Sequence, residues 1–467
     1  MKNGQCGSHF LNNCFSHHRA TDGNWFRMKK LIPLVLMLMT AVSCVFSGPS
    51  HTPKVVTAPE PAQANGYSSD EQSSTQVNTF TTKIPVVNVY LETSGSMNGY
   101  VNNGQSQFQQ VVYDYLSNIK NSGLVSELNL NYITNCVTPK GNDVNSFVNN
   151  LNSTGLLQAS GSKATTDIAA LIETILDSTE QNQVSILITD CIFSPGNVQN
   201  PQNYLENQKI SIRNAVKSYL DKNVFVGCSI YRFMSDFRGK YFDFRNRPSR
   251  IDMKRPFYII VFGNAGQLAS IKSKVPDANF MGSPVESTWT IVNGDFSDVD
   301  GLNDYGLLQS GPVNGNYRWK SPTSLKSVKI SSDGYFKFTF GIDMKLPVLL
   351  YGEEYATNTD NYCNLINKQT SESYFLSIRQ NNVKSSKFTH NATLMSEKPF
   401  PKGEISVVFD GRIPQWVYDC TDLDDTVLKD ANSGKTYGFS YMCEGIYAGF
   451  HANNSNNLTA KYLFEMS

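Results

Sequence analysis

From Ile84 to Val275 the chain alternates short apolar runs with amphipathic ones, and this alternation restricts the possible folds more than any other feature. The runs "IPVVNVYL", "SELNLNYIT", "VSILITD", "VFVGCSIYRF" and "FYIIVFG" have the length and the β-branched and aromatic content of strands. Between them, "QFQQVVYDYLSNIKN" sets Phe108, Val111, Val112, Tyr115, Leu116 and Ile119 at helical spacing. "TDIAALIETILDS", "ISIRNAVKSYLDK" and "GNAGQLASIKSKV" read the same way. Strands alternating with helices predict an α/β domain over 84–275, a doubly wound and mostly parallel sheet with helices on both faces. In such sheets the ligand site lies in loops at the carboxyl ends of the strands.

The flanking regions read differently. After Asp277 the helical period fades. "YFKFTFGIDM", "LPVLLYGE", "YFLSIRQ", "EISVVFD" and "KYLFEMS" suggest strands, with one helical piece at "GFSYMCEGIYAGFHA". A β-rich second domain of unknown type is therefore expected over 276–467. Residues 45–83 are rich in Ser, Thr, Pro, Ala and Gln and bury too little to fold, so they read as a disordered linker. "MKKLIPLVLMLMTAVSC", from Met28 to Cys44, has the basic start and short apolar core of a secretory signal. Its "AVSC" end resembles the lipobox of bacterial lipoproteins. That resemblance implies lipidation at Cys44 and a membrane anchor in the cell envelope, at the outer membrane. Ala41-Val42-Ser43 also fits an ordinary cleavage site. Residues 1–27 precede the signal, and Met28 is the expected initiator. Their Cys6, His9, Cys14, His17 and His18 then play no part.

The first strand ends in "LETSGSM". Glu92, Ser94 and Ser96 leave it at alternate positions, so all three can face one point. A carboxylate and two hydroxyls are hard oxygen donors, suited to Mg²⁺, Ca²⁺ or Mn²⁺. Two further donors fall in matching places: Thr166, before a helix in "ATTDIAAL", and Asp190, at the end of "VSILITD". This set resembles the von Willebrand factor type A (vWA) domain family over about 84–275. The family's D-x-S-x-S motif corresponds to Glu92-Thr93-Ser94-Gly95-Ser96. Its "GTD" threonine corresponds to Thr166, and its "TDG" to Thr189-Asp190-Cys191. The resemblance implies a metal-ion-dependent adhesion site, with an open position on the ion for a carboxylate of a partner protein. Glu92 departs from the family's Asp, and its extra methylene moves the carboxylate by about 1.5 Å.

Other features set limits. The chain has 40 basic and 40 acidic residues, so no net field attracts nucleic acid. It has no phosphate loop, no dinucleotide fingerprint and no nucleophile–base pair near the candidate ligands. The reading is a binding module rather than an enzyme. The basic stretch "RGKYFDFRNRPSRIDMKRPF" contains Arg238, Lys240, Arg245, Arg247 and Arg250. It reads either as a docking loop for an anionic partner or as a solvated hairpin. "DCTDLDDTV" reads as a solvated acidic turn, and His390 and His451 as surface histidines. A second functional reading is a surface glycan-binding lipoprotein, with ligand on the β-rich domain and the vWA fold as a metal-free scaffold. A third is a hydrolase site in the second domain, which no motif supports.

Overall fold

β1 (Ile84–Glu92), α1 (Gln107–Asn121), β2 (Val125–Ile133), β3 (Val137–Pro139), α2 (Val144–Asn149), α3 (Ser153–Leu156), α4 (Ile168–Ser178), β4 (Gln183–Thr189), α5 (Pro201–Lys222), β5 (Val226–Phe242), β6 (Pro248–Asn264), α6 (Ala265–Lys274) and β7 (Ser287–Val292) follow in this order, with β3, α2, α3 and β7 added to the elements the sequence predicts. This computed structural model describes residues 82–101, 105–156, 167–277, 280, 282–294, 304–308, 313–366, 369–370, 374–382, 386–396, 402–452 and 460–467. The local causes are those of the sequence. α1 opens on a capping box between Ser106 and Gln109. α4 opens on Asp167, whose carboxylate accepts the Ala170 N–H at 3.0 Å. The apolar face of α4, Ile168, Leu171, Ile172, Ile175 and Leu176, is buried. Each such side chain contributes roughly 1.5–3 kcal/mol.

The first sheet has the order β3-β2-β1-β4-β6-β5-β7. β1 pairs in parallel with β2 and β4, and the other pairings are antiparallel. Thus β1, β2, β4 and β5 point one way and β3, β6 and β7 the other. Parallel pairing is confined to β2-β1-β4, where the sequence predicts a mostly parallel sheet. The reason is local: a tight turn, Asp243–Arg247, joins β5 to β6. A tight turn brings the next strand back antiparallel, and it is β6 that lies against β4. β4 is buried from Val184 to Thr189, as a strand covered on both faces must be.

The later chain adds β8 (Tyr305–Leu307), β9 (Asn316–Ser321), β10 (Ser324–Lys329), β11 (Phe336–Ile342), α7 (Lys345–Tyr351), α8 (Glu353–Thr357), β12 (Tyr362–Ile366), β13 (Gln369–Thr370), β14 (Tyr374–Gln380), β15 (His390–Ser396), β16 (Gly403–Phe409), α9 (Gln415–Asp419), β17 (Thr421–Asp422), β18 (Thr436–Tyr437), α10 (Phe439–Phe450) and β19 (Ala460–Met466). Two large sheets form here, β13-β12-β16-β19-β10-β9 and β14-β15-β11-β8, and β17 pairs with β18 in a two-stranded third. They face each other through aromatic rings. Phe340 of β11 lies 4.7 Å from Phe464 of β19, and Phe338 lies 5.2 Å from the same ring.

The boundary expected at Val275 does not separate the two halves. β7 pairs with the outer edge of β5 and so extends the first sheet to Val292. An unpaired edge would otherwise remain there. α10 returns to the first half and packs on α5. A Cβ at Gly449 would stand 2.6 Å from Cβ of Val216, and one at Gly445 2.9 Å from Cβ of Ile212, so the two helices meet backbone to side chain. The described residues between 82 and 467 form one compact unit. Among the described residues, no helix is long and apolar enough to cross a membrane. No disulfide joins Cys136, Cys191, Cys228, Cys363, Cys420 or Cys443. Cys44 and linker residues 45–81 lie outside the described residues.

Candidate metal site at the ends of β1 and β4

The parallel pairing of β1 with β4, Leu91 opposite Ile188, brings Glu92 and Asp190 to the same end of neighbouring strands. Beyond Glu92 the chain turns through a single 3-10 turn, Ser96–Tyr100. This turn sets the Ser94 and Ser96 hydroxyls 3.0 Å apart in a hydrogen bond. Glu92, Ser94, Ser96 and Asp190 are 1%, 6%, 8% and 1% exposed. Thr166, the fifth residue of the expected set, lies outside the described residues. Among the described residues, no group of three or more His, Cys, Asp and Glu side chains converges as a metal site. The cluster has two carboxylates, and its other donors are hydroxyls.

The two carboxylates are held differently. The Thr189 hydroxyl donates to Oε2 of Glu92, and the Cys191 N–H donates to the Thr189 oxygen at 2.9 Å. Oδ1 of Asp190 accepts the Ile192 N–H at 3.2 Å, while its Oδ2 is buried with no hydrogen-bond partner. Burial, and then the nearby Glu92 charge, push the Asp190 carboxyl up to about 7. An orphaned, buried carboxylate oxygen beside a second carboxylate and two hydroxyls calls for a positive charge.

The φ of Cys191 is +56°. That is left-handed backbone, which an L-residue adopts only at a cost. A β-branched residue fits it worst. Cys191→Val is therefore expected to cost about 2 kcal/mol or more in urea unfolding. An unchanged midpoint would show that this backbone is not strained.

The β5–β6 hairpin reaches beyond the sheet and covers this end. Tyr100 donates to the Pro256 carbonyl at 2.5 Å and meets Phe237 edge-on at 5.0 Å. The basic stretch proves to be the arms and turn of this hairpin. Arg238 pairs with Asp252 at 2.7 Å, Arg247 with Asp243 at 2.7 Å, and Arg245 lies over the Phe244 ring. Lys240 and Arg250 are exposed. Arg255 belongs to the interior, 1% exposed, with its guanidinium over the Tyr241 ring and donating to the Ser433 carbonyl at 2.9 Å.

The acidic turn is also not uniformly solvated. Asp425 is buried and accepts from the Tyr241 hydroxyl at 2.5 Å and the Phe244 N–H at 2.9 Å. Arg232 donates to the Gly434 carbonyl at 3.0 Å, Tyr258 and Thr436 hydroxyls lie 3.0 Å apart, and Phe244 stacks on Tyr437. The segment from Asp419 to Gly438 is thus strapped to the hairpin. The sequence reading missed this strap. The alternation of Ile251, Met253 and Arg255 on the inward face of β6 was the available signal for Arg255. His390, expected at the surface, is buried, with Nε2 2.8 Å from Glu353 and Nδ1 2.9 Å from Thr389. His451 is half-buried beside Asp410.

Set against known proteins, the chain matches no family profile, no curated protein and no solved structure.

Proposed function

We propose that this chain is a divalent-cation-dependent interaction protein of the vWA type, exported and anchored in the bacterial cell envelope through a lipid on Cys44. Glu92, Ser94, Ser96 and Asp190, with Thr166, hold Mg²⁺, or Ca²⁺ or Mn²⁺ in its place. The observation that carries this reading is the unpartnered, buried Oδ2 of Asp190 beside Glu92 and two serine hydroxyls. All the donors are hard oxygens. The Thr189 hydroxyl fixes the Glu92 carboxylate, so the longer side chain has a defined place. The resemblance implies an ion open to a partner's carboxylate, whereas these ligands are enclosed. In this proposal the partner reaches the ion when the loops and hairpin over it part.

Thermal melting and calorimetric titration with Mg²⁺, Mn²⁺ and Ca²⁺ at pH 8 test the proposal. A cation at a hundred times its dissociation constant stabilises the folded state by about 2.7 kcal/mol, and the melting temperature rises accordingly. Glu92→Asp is expected to change the order of preference among the three ions, because Mg²⁺ demands stricter geometry than Ca²⁺. Melting curves that coincide in chelator and in all three ions would contradict the proposal.

A further inference from the structure

The exposed face of the β5–β6 hairpin is built as a ladder of charged rungs. Asp236 lies opposite Lys254, Arg238 opposite Asp252, and Lys240 opposite Arg250. All six residues are exposed, and the alternating Phe237, Gly239 and Tyr241 face inward. The first two rungs pair opposite charges, and Arg238 and Asp252 are in contact at 2.7 Å. The third sets two cations directly across from each other, and no carboxylate among the described residues pairs with either. Like charges at this position cost stability. Arg247 is paired by Asp243, while Arg245 lies over the Phe244 ring and keeps its charge at the turn. Lys240 and Arg250 are the two cations that face each other on one rung.

We infer that Lys240 and Arg250 form an anion subsite that takes a compact phosphoryl or sulfate ester group. Side chains opposite each other on a ladder start about 5 Å apart, so a lysine ammonium and an arginine fork converge on one tetrahedral anion. The rungs on the sheet side disfavour a larger polyanion, because an extended acidic chain laid in that direction meets Asp252 and then Asp236, while a single ester group meets neither. This subsite stands apart from the cation site and does not depend on it.

The test titrates phenyl phosphate and phenyl sulfate into the full chain at constant ionic strength. A parallel arm sediments the Cys44→Ala chain, which has no lipid of its own, with phosphatidylcholine vesicles with and without phosphatidic acid. A dissociation constant on the order of 1 mM is expected. Lys240→Gln and Arg250→Gln each weaken it by roughly tenfold, and Arg238→Gln leaves it unchanged. Binding to phosphatidic acid vesicles identifies a lipid headgroup as the source. Binding of the soluble esters alone identifies a soluble ligand. Without ligand, Lys240→Gln raises the melting temperature by about 1 °C, because the like-charge rung is relieved. No binding of either kind up to roughly 20 mM, or an equal loss in Arg238→Gln, would overturn the inference.

Discussion

Asp190→Asn is expected to stabilise the ion-free protein at pH 8 by about 2 kcal/mol and to abolish its stabilisation by divalent cations. Asp190 is buried beside Glu92, and its carboxyl is pushed up to about 7, by burial first and by the Glu92 charge second. In the unfolded chain the same carboxyl loses its proton near pH 4, about its ordinary value. Between these values the folded state holds a proton that the unfolded state has released, so stability falls as the pH rises from about 4 to about 7. An asparagine removes the charge and with it this penalty. The gain therefore appears at pH 8 and vanishes at pH 4. A bound cation relieves the same penalty in the wild-type protein, which is why the substitution removes the response to metal. Urea unfolding at both pH values, with and without Mg²⁺, measures all of this. An Asp190→Asn protein that is less stable than wild type at pH 8 in chelator would contradict it.

The second large effect concerns the strap. Asp425→Ala is expected to cost about 2–4 kcal/mol, because the Tyr241 hydroxyl and the Phe244 N–H, both buried, lose the acceptor they have among the described residues. Burial also raises the Asp425 carboxyl to about 6, against the lowering influence of those two donors and of Arg255. The folded state keeps that proton up to about pH 6, and the unfolded state only to about pH 4. Asp425 therefore contributes more at pH 5 than at pH 8, and the deficit in the alanine variant is larger at the lower pH. Asp425→Asn keeps an acceptor oxygen and removes the buried charge, so at pH 8 it costs less than half as much. Unfolding of the two variants at both pH values checks the ordering. Equal stability of Asp425→Ala and wild type would show that the strap does not hold the hairpin.

The elements that position the candidate site were readable because each depends on local pattern. The acid at the end of an apolar run, the hydroxyls at alternate places after it, and the second acid ending β4 all sit within a few residues of the signal that reveals them. What brings them together, the parallel pairing of β1 with β4, follows from strands alternating with helices. The covering parts were not readable because they depend on contacts distant in sequence. Nothing in the hairpin sequence says that β6 lies between β4 and β5. Nothing near Asp425 announces Tyr241, 184 residues earlier. Arg255 lies within the basic stretch, yet strand alternation sets it on the opposite face from Lys254. The boundary at Val275 followed the end of the helical period, and that period carries no information about which edge β7 pairs with.

The most direct test of the cation site is anomalous diffraction from crystals grown with Mn²⁺. A peak bounded by the Ser94 and Ser96 hydroxyls and the Asp190 carboxylate, at about 2.2 Å from the coordinating oxygens, is the predicted result. A saturating Mn²⁺ concentration that leaves this position without a peak, or places the ion elsewhere in the chain, would contradict the account.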